Sequence, residues 1–281
     1  MNYELIIKNI RTDTEKYLVK GNIKSVVLGV SGGIDSALVA ALIRPVCDKL
    51  NIPLIGRSIS IESNSKDEQE RALAVGTHFC TDFKEVDLTN LYEPMALQFN
   101  NLEYPDNDDN IAFKIRNGNI KARLRMIYLY NLASINGGLV LSTDNWTEYL
   151  LGFWTINGDD FDFGPIHGLW KTEVYEMADR LVYNELKFNQ PAALALLSCI
   201  KGIATDGLGI TNSDLDQILP GFNGSSVEGY RKVDEILKNI ISPKLQERLL
   251  VSDNNPVLIR HIKSEFKRNH PVMLKRETLL R

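Results

Sequence analysis

Six consecutive residues, Ser31-Gly32-Gly33-Ile34-Asp35-Ser36, have the side-chain types that a phosphate chain needs. The two glycines let the backbone fold into a nest of N–H groups and approach a ligand with no Cβ in the way. Ser31 and Ser36 add hydroxyl donors, and Asp35 offers a hard oxygen of the kind Mg²⁺ prefers. The spacing is not that of the G-x-x-x-x-G-K-[ST] loop, nor of the dinucleotide fingerprint G-x-G-x-x-G. A plainer reading is a tight strand-to-helix turn in which a serine or the aspartate only caps the helix.

The flanking residues decide what such a turn would do. Ser25-Val26-Val27-Leu28-Gly29-Val30 before it reads as a buried strand, and Ala37-Leu38-Val39-Ala40-Ala41-Leu42 after it as a helix. At a strand–turn–helix junction the unpaired amides of the first helical turn and the macrodipole both favour an anion. Residues 1–20 read as an amphipathic helix and Pro53–Ser60 as a second strand. A helix starts at Ser65-Lys66-Asp67-Glu68, and Lys84–Leu88 is a third strand. Residues 100–110 read as an exposed polar loop. Asn119–Asn136 is a helix apolar on more than one side, fit for a core or a subunit interface. Leu139–Ser142 is a fourth strand whose Thr143-Asp144 loop opens on the same edge as the glycine turn. The alternation predicts an α/β fold, a doubly wound, Rossmann-like parallel sheet flanked by helices; four strands are read here, and five are expected in all. The C-terminal part is helical, over 171–183, 227–240 and 256–268. Residues 202–224 suit an active-site cover or a surface loop, and the whole chain, 1–281, reads as one domain.

Composition narrows the class. Hydrophobic residues make up 44% and charged residues 24%, as in a globular protein with a substantial core. A net charge of −4 argues against a general nucleic-acid or membrane binder. No signal-peptide pattern opens the chain, and no apolar run approaches the roughly 18 residues that span a bilayer. Cys47, Cys80 and Cys199 are scattered and odd in number, which points to reduced thiols in the cytoplasm.

The S-G-G-x-D-S run resembles the signature of the N-type ATP pyrophosphatases, which implies the adenine-nucleotide α-hydrolase-like form of this fold. Several later runs resemble, in order, the motifs of ammonia-dependent NAD synthetase. They are Gly118-Asn119-Ile120-Lys121-Ala122-Arg123, Leu141-Ser142-Thr143-Asp144 with Glu148, Gly152-Phe153-Trp154-Thr155, and Gly158-Asp159 with Asp162, Pro165 and Lys171. Ala204-Thr205-Asp206-Gly207-Leu208-Gly209 and Glu265-Phe266-Lys267-Arg268 complete the likeness, and the glutaminase part of larger relatives is missing. The resemblance implies that deamido-NAD, ATP and free ammonia give NAD, AMP and pyrophosphate through an acyl-adenylate. It implies Mg²⁺, ATP as co-substrate, and a homodimer.

Carried over residue by residue, the resemblance places ATP on Gly29, Val30, Ser31, Gly32, Gly33, Ile34, Asp35, Ser36, Arg57, Thr143, Lys171 and Thr205. Arg57 is expected just past the second strand, against the adenylate. Asp35 and Glu148 are expected to hold the metal, although Asn145-Trp146-Thr147-Glu148 also reads as a capping box. Lys171 is expected on the β- and γ-phosphates; a lysine at a helix start is disfavoured by the dipole unless an anion is nearby. Asn119 and Arg123, four apart on one helix face, are expected on deamido-NAD with Asp162, Phe266 and Lys267; Arg123 also reads as an interface ion pair. Asp159 is the candidate for the ammonia site, where a carboxylate would bind ammonium and take up a proton; the same residues form an ordinary turn. Ile156 stands where many members carry lysine, Phe266 where many carry histidine, and Ala204 where proline is usual. The first two departures lie on the deamido-NAD side.

Three rivals share the loop. An RNA-modifying relative would need a cysteine pair or a basic surface, and amidation of another small acid differs only in the acceptor. A non-catalytic nucleotide-binding module would not need Asp35, Glu148 and Lys171 together.

Overall fold

The computed structural model describes residues 1–62, 65–102, 110–159, 161–205, 213–241 and 254–271. Helix α1 (Tyr3–Lys20) precedes strand β1 (Ser25–Gly29), and the glycine turn leads directly into α2 (Ile34–Leu50). Strand β2 (Leu54–Ser60), α3 (Lys66–Phe79), β3 (Asp82–Asp87), α4 (Thr89–Leu102) and α5 (Asn110–Ile135) follow. After β4 (Gly138–Val140) come α6 (Trp146–Leu151), α7 (Lys171–Arg180, continued by a π-helical turn over Leu181–Glu185) and α8 (Gln190–Lys201). The C-terminal part comprises α9 (Asp214–Ile218), α10 (Ser226–Ile241), α11 (Pro256–Lys263) and α12 (Glu265–Arg268). None of the described helices is long and apolar enough to cross a membrane.

Among the described residues all the strands run parallel, in the order β3-β2-β1-β4. Their side chains alternate between two cores, so the sheet is covered on both faces. Val26, Leu28, Leu139 and Leu141 pack toward α2, α3, α7 and α8. Val27, Ile55, Ile59 and Val140 pack toward α4 and α5. This double burial is why β1 reads as an unbroken apolar run; fully burying a Val or Leu stabilises by about 1.5–3 kcal/mol. Chain order reverses beside β1, with β2 on one side and β4 on the other. Ligands of open α/β sheets bind at the carboxyl ends of strands at such a point, and the turns after β1 and β4 both open there.

Among the described residues the sheet has four strands, one fewer than expected, and beyond β4 there is only an isolated parallel bridge between Leu141 and Phe163. The Asp162 amide donates to Val140 O at 3.0 Å, and Ser142 N donates to Phe163 O at 2.9 Å. The Asp162 carboxylate itself takes the Val140 amide at 2.8 Å. Gly164 and Pro165 follow immediately, and a proline has no N–H to continue a ladder. Two other expectations shift. The helix expected over 119–136 begins at Asn110, and Asn100–Leu102 of the expected loop belong to α4. The rest of that loop, 103–109, lies outside the described residues, as does 206–212 of the 202–224 stretch.

Candidate active site

At the carboxyl edge of the sheet a cavity of about 410 Å³ is lined by the glycine turn, the loop after β4, one stripe of α5 and the N-termini of α6 and α7. Gly32 holds φ at +83°, where a Cβ would stand 2.2 Å from the Glu68 carbonyl oxygen of α3. Only glycine fits there, and Arg71 Nε fixes the turn by donating to Gly32 O at 2.9 Å. The two hydroxyls of the turn face each other, Ser31 Oγ to Ser36 Oγ at 3.1 Å, and Ser31 Oγ accepts the Gly33 amide at 3.2 Å.

Behind the turn stands the ionic centre of the site. Lys171, the first residue of α7, is 2% exposed, and its ammonium donates to Asp35 Oδ2 and, at 2.7 Å, to Glu148 Oε1. Its Nζ also lies 5.2 Å from the centre of the Tyr230 ring. Burial alone would depress the lysine; the carboxylates of Asp35 and Glu148 outweigh it and hold the ammonium charged. Asn145 Nδ2 donates to the second Asp35 oxygen at 2.9 Å. Glu148 takes up the capping-box reading and keeps one oxygen for the cluster. Its Oε2 accepts the Asn145 amide at 3.4 Å in a capping box, while Oε1 faces Lys171.

The cavity is rich in acid. Burial and then the neighbouring Asp35 push Glu148 up to about 7. Burial, with Asp159, Glu148 and Asp35 nearby, raises Asp144 well above the carboxylate range, and burial raises Asp159. Asp35 and Glu148 offer hard carboxylate oxygens of the kind that Mg²⁺ takes.

The remaining candidates divide. Thr143, Thr205, Asn119, Asp159 and Lys267 line the cavity together with Gly29–Ser36. Thr205 Oγ1 donates to Glu68 Oε1. Thr155 Oγ1 donates to Asn119 Oδ1 at 2.8 Å, and the Thr155 amide donates to Asp159. Arg57 lies within β2, not past it, 3% exposed. It touches the cavity wall, but its guanidinium is bound to Asp82 Oδ2 at 2.9 Å and to backbone carbonyls of Gly56 and Asp82. Arg123, Asp162 and Phe266 do not line the cavity. Arg123 is exposed and donates to Ile156 O at 3.1 Å, Asp162 is spent on the Val140 amide, and Phe266 is 62% exposed.

Arg71, Arg125 and Arg260, which no sequence motif marked, line the same cavity, as does Asp144, which was expected on the loop after the fourth strand but given no role. The stripe of α5 that faces it is Ile115, Asn119, Ala122, Met126 and Leu129, with Arg125 at its border. From Asn119 a helix face can continue through i+3 or i+4; the fold selects Ala122 and leaves Arg123 outside. Arg260 belongs to a strap that closes the C-terminal end of α6. Arg260 Nε donates to Leu151 O at 2.9 Å, Arg268 Nη1 to Leu150 O at 2.6 Å, and Lys267 Nζ to Gly152 O at 2.8 Å. Cations at the negative end of a helix are favourably placed.

A glycine cradle after the first strand, backed by an acid–lysine cluster at the switch point of a parallel sheet, defines an α/β nucleotide-dependent enzyme. The family is then given by sequence: the profile described as NAD synthase matches residues 6–271, and the chain belongs to that family. It is 32% identical over 276 residues to the NH(3)-dependent NAD(+) synthetase of Thermococcus sibiricus, covering 97% of each chain. Among solved structures it is similar to the NH3-dependent NAD synthetase of Campylobacter jejuni (TM-score 0.65, 25% identity, 98% of this chain and all of that one). It also shares its fold with an NMN synthetase from Francisella tularensis (TM-score 0.74, 22% identity, 98% of this chain and 99% of that one).

Proposed function

We infer that the protein uses ATP and ammonia to amidate deamido-NAD, releasing NAD, AMP and pyrophosphate. A carboxylate is a poor acyl donor. A nicotinate carboxylate oxygen therefore attacks the α-phosphorus of ATP and expels pyrophosphate. Ammonia then attacks the acyl carbon, AMP leaves with the bond to that oxygen, and a proton is lost to form the amide. Charge grows on phosphate oxygens in the first step, where fixed cations and backbone donors act most strongly.

The observation that carries the reading is the Lys171 ammonium held between Asp35 and Glu148 directly behind the Ser31–Ser36 cradle. The cradle amides and Lys171 would take the departing pyrophosphate, with Thr143 and Thr205 giving hydroxyls to the nucleotide. Mg²⁺, when bound by Asp35 and Glu148, would neutralise charge on the triphosphate. Asp159 would hold ammonium and accept a proton from it. Asn119 and Lys267, which line the cavity, would contact the acceptor. Arg123, Asp162 and Phe266, being outside the cavity, would reach only an outlying part of a long acceptor. The three buried free thiols suit a reducing cytoplasm.

Assembly as a homodimer is part of the same proposal. Helices α4 and α5 cover one face of the sheet and leave Leu91, Leu97, Ile111 and Ile127 exposed, the last at 66%. Large apolar side chains left this exposed on two neighbouring helices are the kind of surface a partner would cover.

The test incubates the protein with ATP, Mg²⁺ and ammonium, with deamido-NAD, nicotinate mononucleotide or no acceptor, and assays pyrophosphate, AMP and the amide product. NAD formation dependent on deamido-NAD supports the reading. Turnover only with the mononucleotide or another acid overturns the acceptor and leaves adenylation standing.

A further inference from the structure

Asp234 is not among the residues lining the cavity, yet its carboxylate gathers the two helix starts that carry the ionic centre. It is 1% exposed. Its Oδ1 accepts the Thr147 hydroxyl at 2.6 Å; its Oδ2 accepts the Thr172 amide at 2.9 Å and the Thr172 hydroxyl at 2.7 Å. The Thr147 hydroxyl in turn accepts the Lys171 amide at 2.9 Å. Thr147 immediately precedes Glu148 in the first turn of α6, and Thr172 immediately follows Lys171 in the first turn of α7.

This arrangement answers a specific difficulty. The residue before α7, Trp170, offers no side-chain acceptor to the first-turn amides, and unpaired buried amides are costly. A lysine at the first helical position also meets the positive end of the dipole. Asp234 satisfies one amide directly and the other through Thr147, and it brings a negative charge to that helix end. The same bonds tie α7 to α6, so the carboxylate that caps Lys171's helix also locates Glu148's.

We propose that Asp234 is a positioning residue for the nucleotide site, fixing through Thr147 and Thr172 the separation of Glu148 and Lys171. The proposal rests on the reading of those two residues, with Asp35, as the triphosphate-binding cluster. It makes Asp234 more than a helix cap: a mere cap would change the melting temperature and leave turnover per folded molecule alone.

The decisive variant is Thr147→Val, which keeps shape and removes the hydroxyl relay, compared with Thr147→Ser, which keeps the relay. Thr172→Val and Asp234→Asn accompany them. Each is measured for melting temperature, for kcat and KM toward each substrate, and for ATP affinity by calorimetry without acceptor or ammonium. Thr147→Val is expected to lose about tenfold or more in kcat, since small misplacements of reacting groups are costly, and severalfold in ATP affinity. KM for the acceptor should stay within about twofold, and Thr147→Ser should restore both losses. A folded Thr147→Val with the parent's kcat and ATP affinity, or a serine variant that restores neither, overturns the proposal. If Thr147→Val does not fold, Thr172→Val, which keeps the Thr172 amide bond, carries the same expectation at roughly threefold. Full activity in Lys171→Met would instead overturn the underlying reading of the cluster, and the proposal with it.

Discussion

The Lys171 ammonium and the Glu148 carboxylate meet at 2.7 Å in a setting that disfavours the carboxylate's charge despite the contact. Burial and the adjacent Asp35 push Glu148 up to about 7, Lys171 opposing them. The unfolded value is near 4.3. A carboxyl raised on folding binds more protons in the native state, so stability falls as pH climbs from the unfolded value through about 7.

Glu148→Gln keeps the shape and removes that charge. In the ligand-free protein it should melt higher than the parent at pH 8, by about 2–4 °C for each kcal/mol recovered, and the difference should vanish toward pH 5. Pyrophosphate release should fall by about two orders of magnitude or more. Thermal scans across pH 5–8 decide it: a glutamine variant that melts lower at pH 8 contradicts the electrostatic account.

Gly32→Ala tests the cradle. At φ +83° an alanine costs about 1–2 kcal/mol in backbone strain, and its methyl would overlap the Glu68 carbonyl at 2.2 Å. Because α3 backbone is the obstacle, the turn itself must move, taking its amides from the phosphate site. ATP affinity should drop by about tenfold or more, with loss of thermal stability. Gly221→Ala is the control: φ is +78° but nothing lies within 4 Å, so it should carry the strain and leave ATP affinity unchanged. Equal ATP affinities in the two variants would refute the steric argument.

What was legible in the sequence was local. The cradle stood out because an apolar strand, two glycines and a helix start adjoin within a dozen residues. Lys171 stood out because a cation at a helix start is out of place by itself. Features made by distant contacts were not legible. Arg57 is claimed by Asp82, which reaches it through the pairing of β2 with β3. Arg123 lost its place on the cavity face to Ala122 because the rotation of α5 is set by its packing on the sheet. Arg260 reaches the site only because the C-terminal strap folds back on α6. Beside β4, Asp162 takes the Val140 amide with its own side chain, and only an isolated bridge forms at Phe163. Asp234, in an ordinary amphipathic helix, carried no signal at all.

Lys267 supplies the pH prediction. Burial and the nearby Arg260 bring its ammonium down to about 8, against the pull of Asp159 and Asp144. It donates to the carbonyls of Gly152 and Trp154 and lies 5.5 Å from the Trp154 ring. The sign for folding is opposite to that of Glu148. Between about 8 and the unfolded value near 10.4 the unfolded chain binds more protons, so this group's contribution to stability rises with pH in that window. Binding runs the other way. An anionic acceptor loses its cation as Lys267 deprotonates, and kcat/KM reports groups of the free enzyme. At saturating total ammonia, kcat/KM for deamido-NAD should therefore fall through about pH 8 while kcat holds. Lys267→Arg, charged throughout, should flatten that limb, and Lys267→Met should be poor at every pH. An unchanged alkaline limb in Lys267→Arg would remove Lys267 from acceptor binding and return it to its other visible task, closing the end of α6.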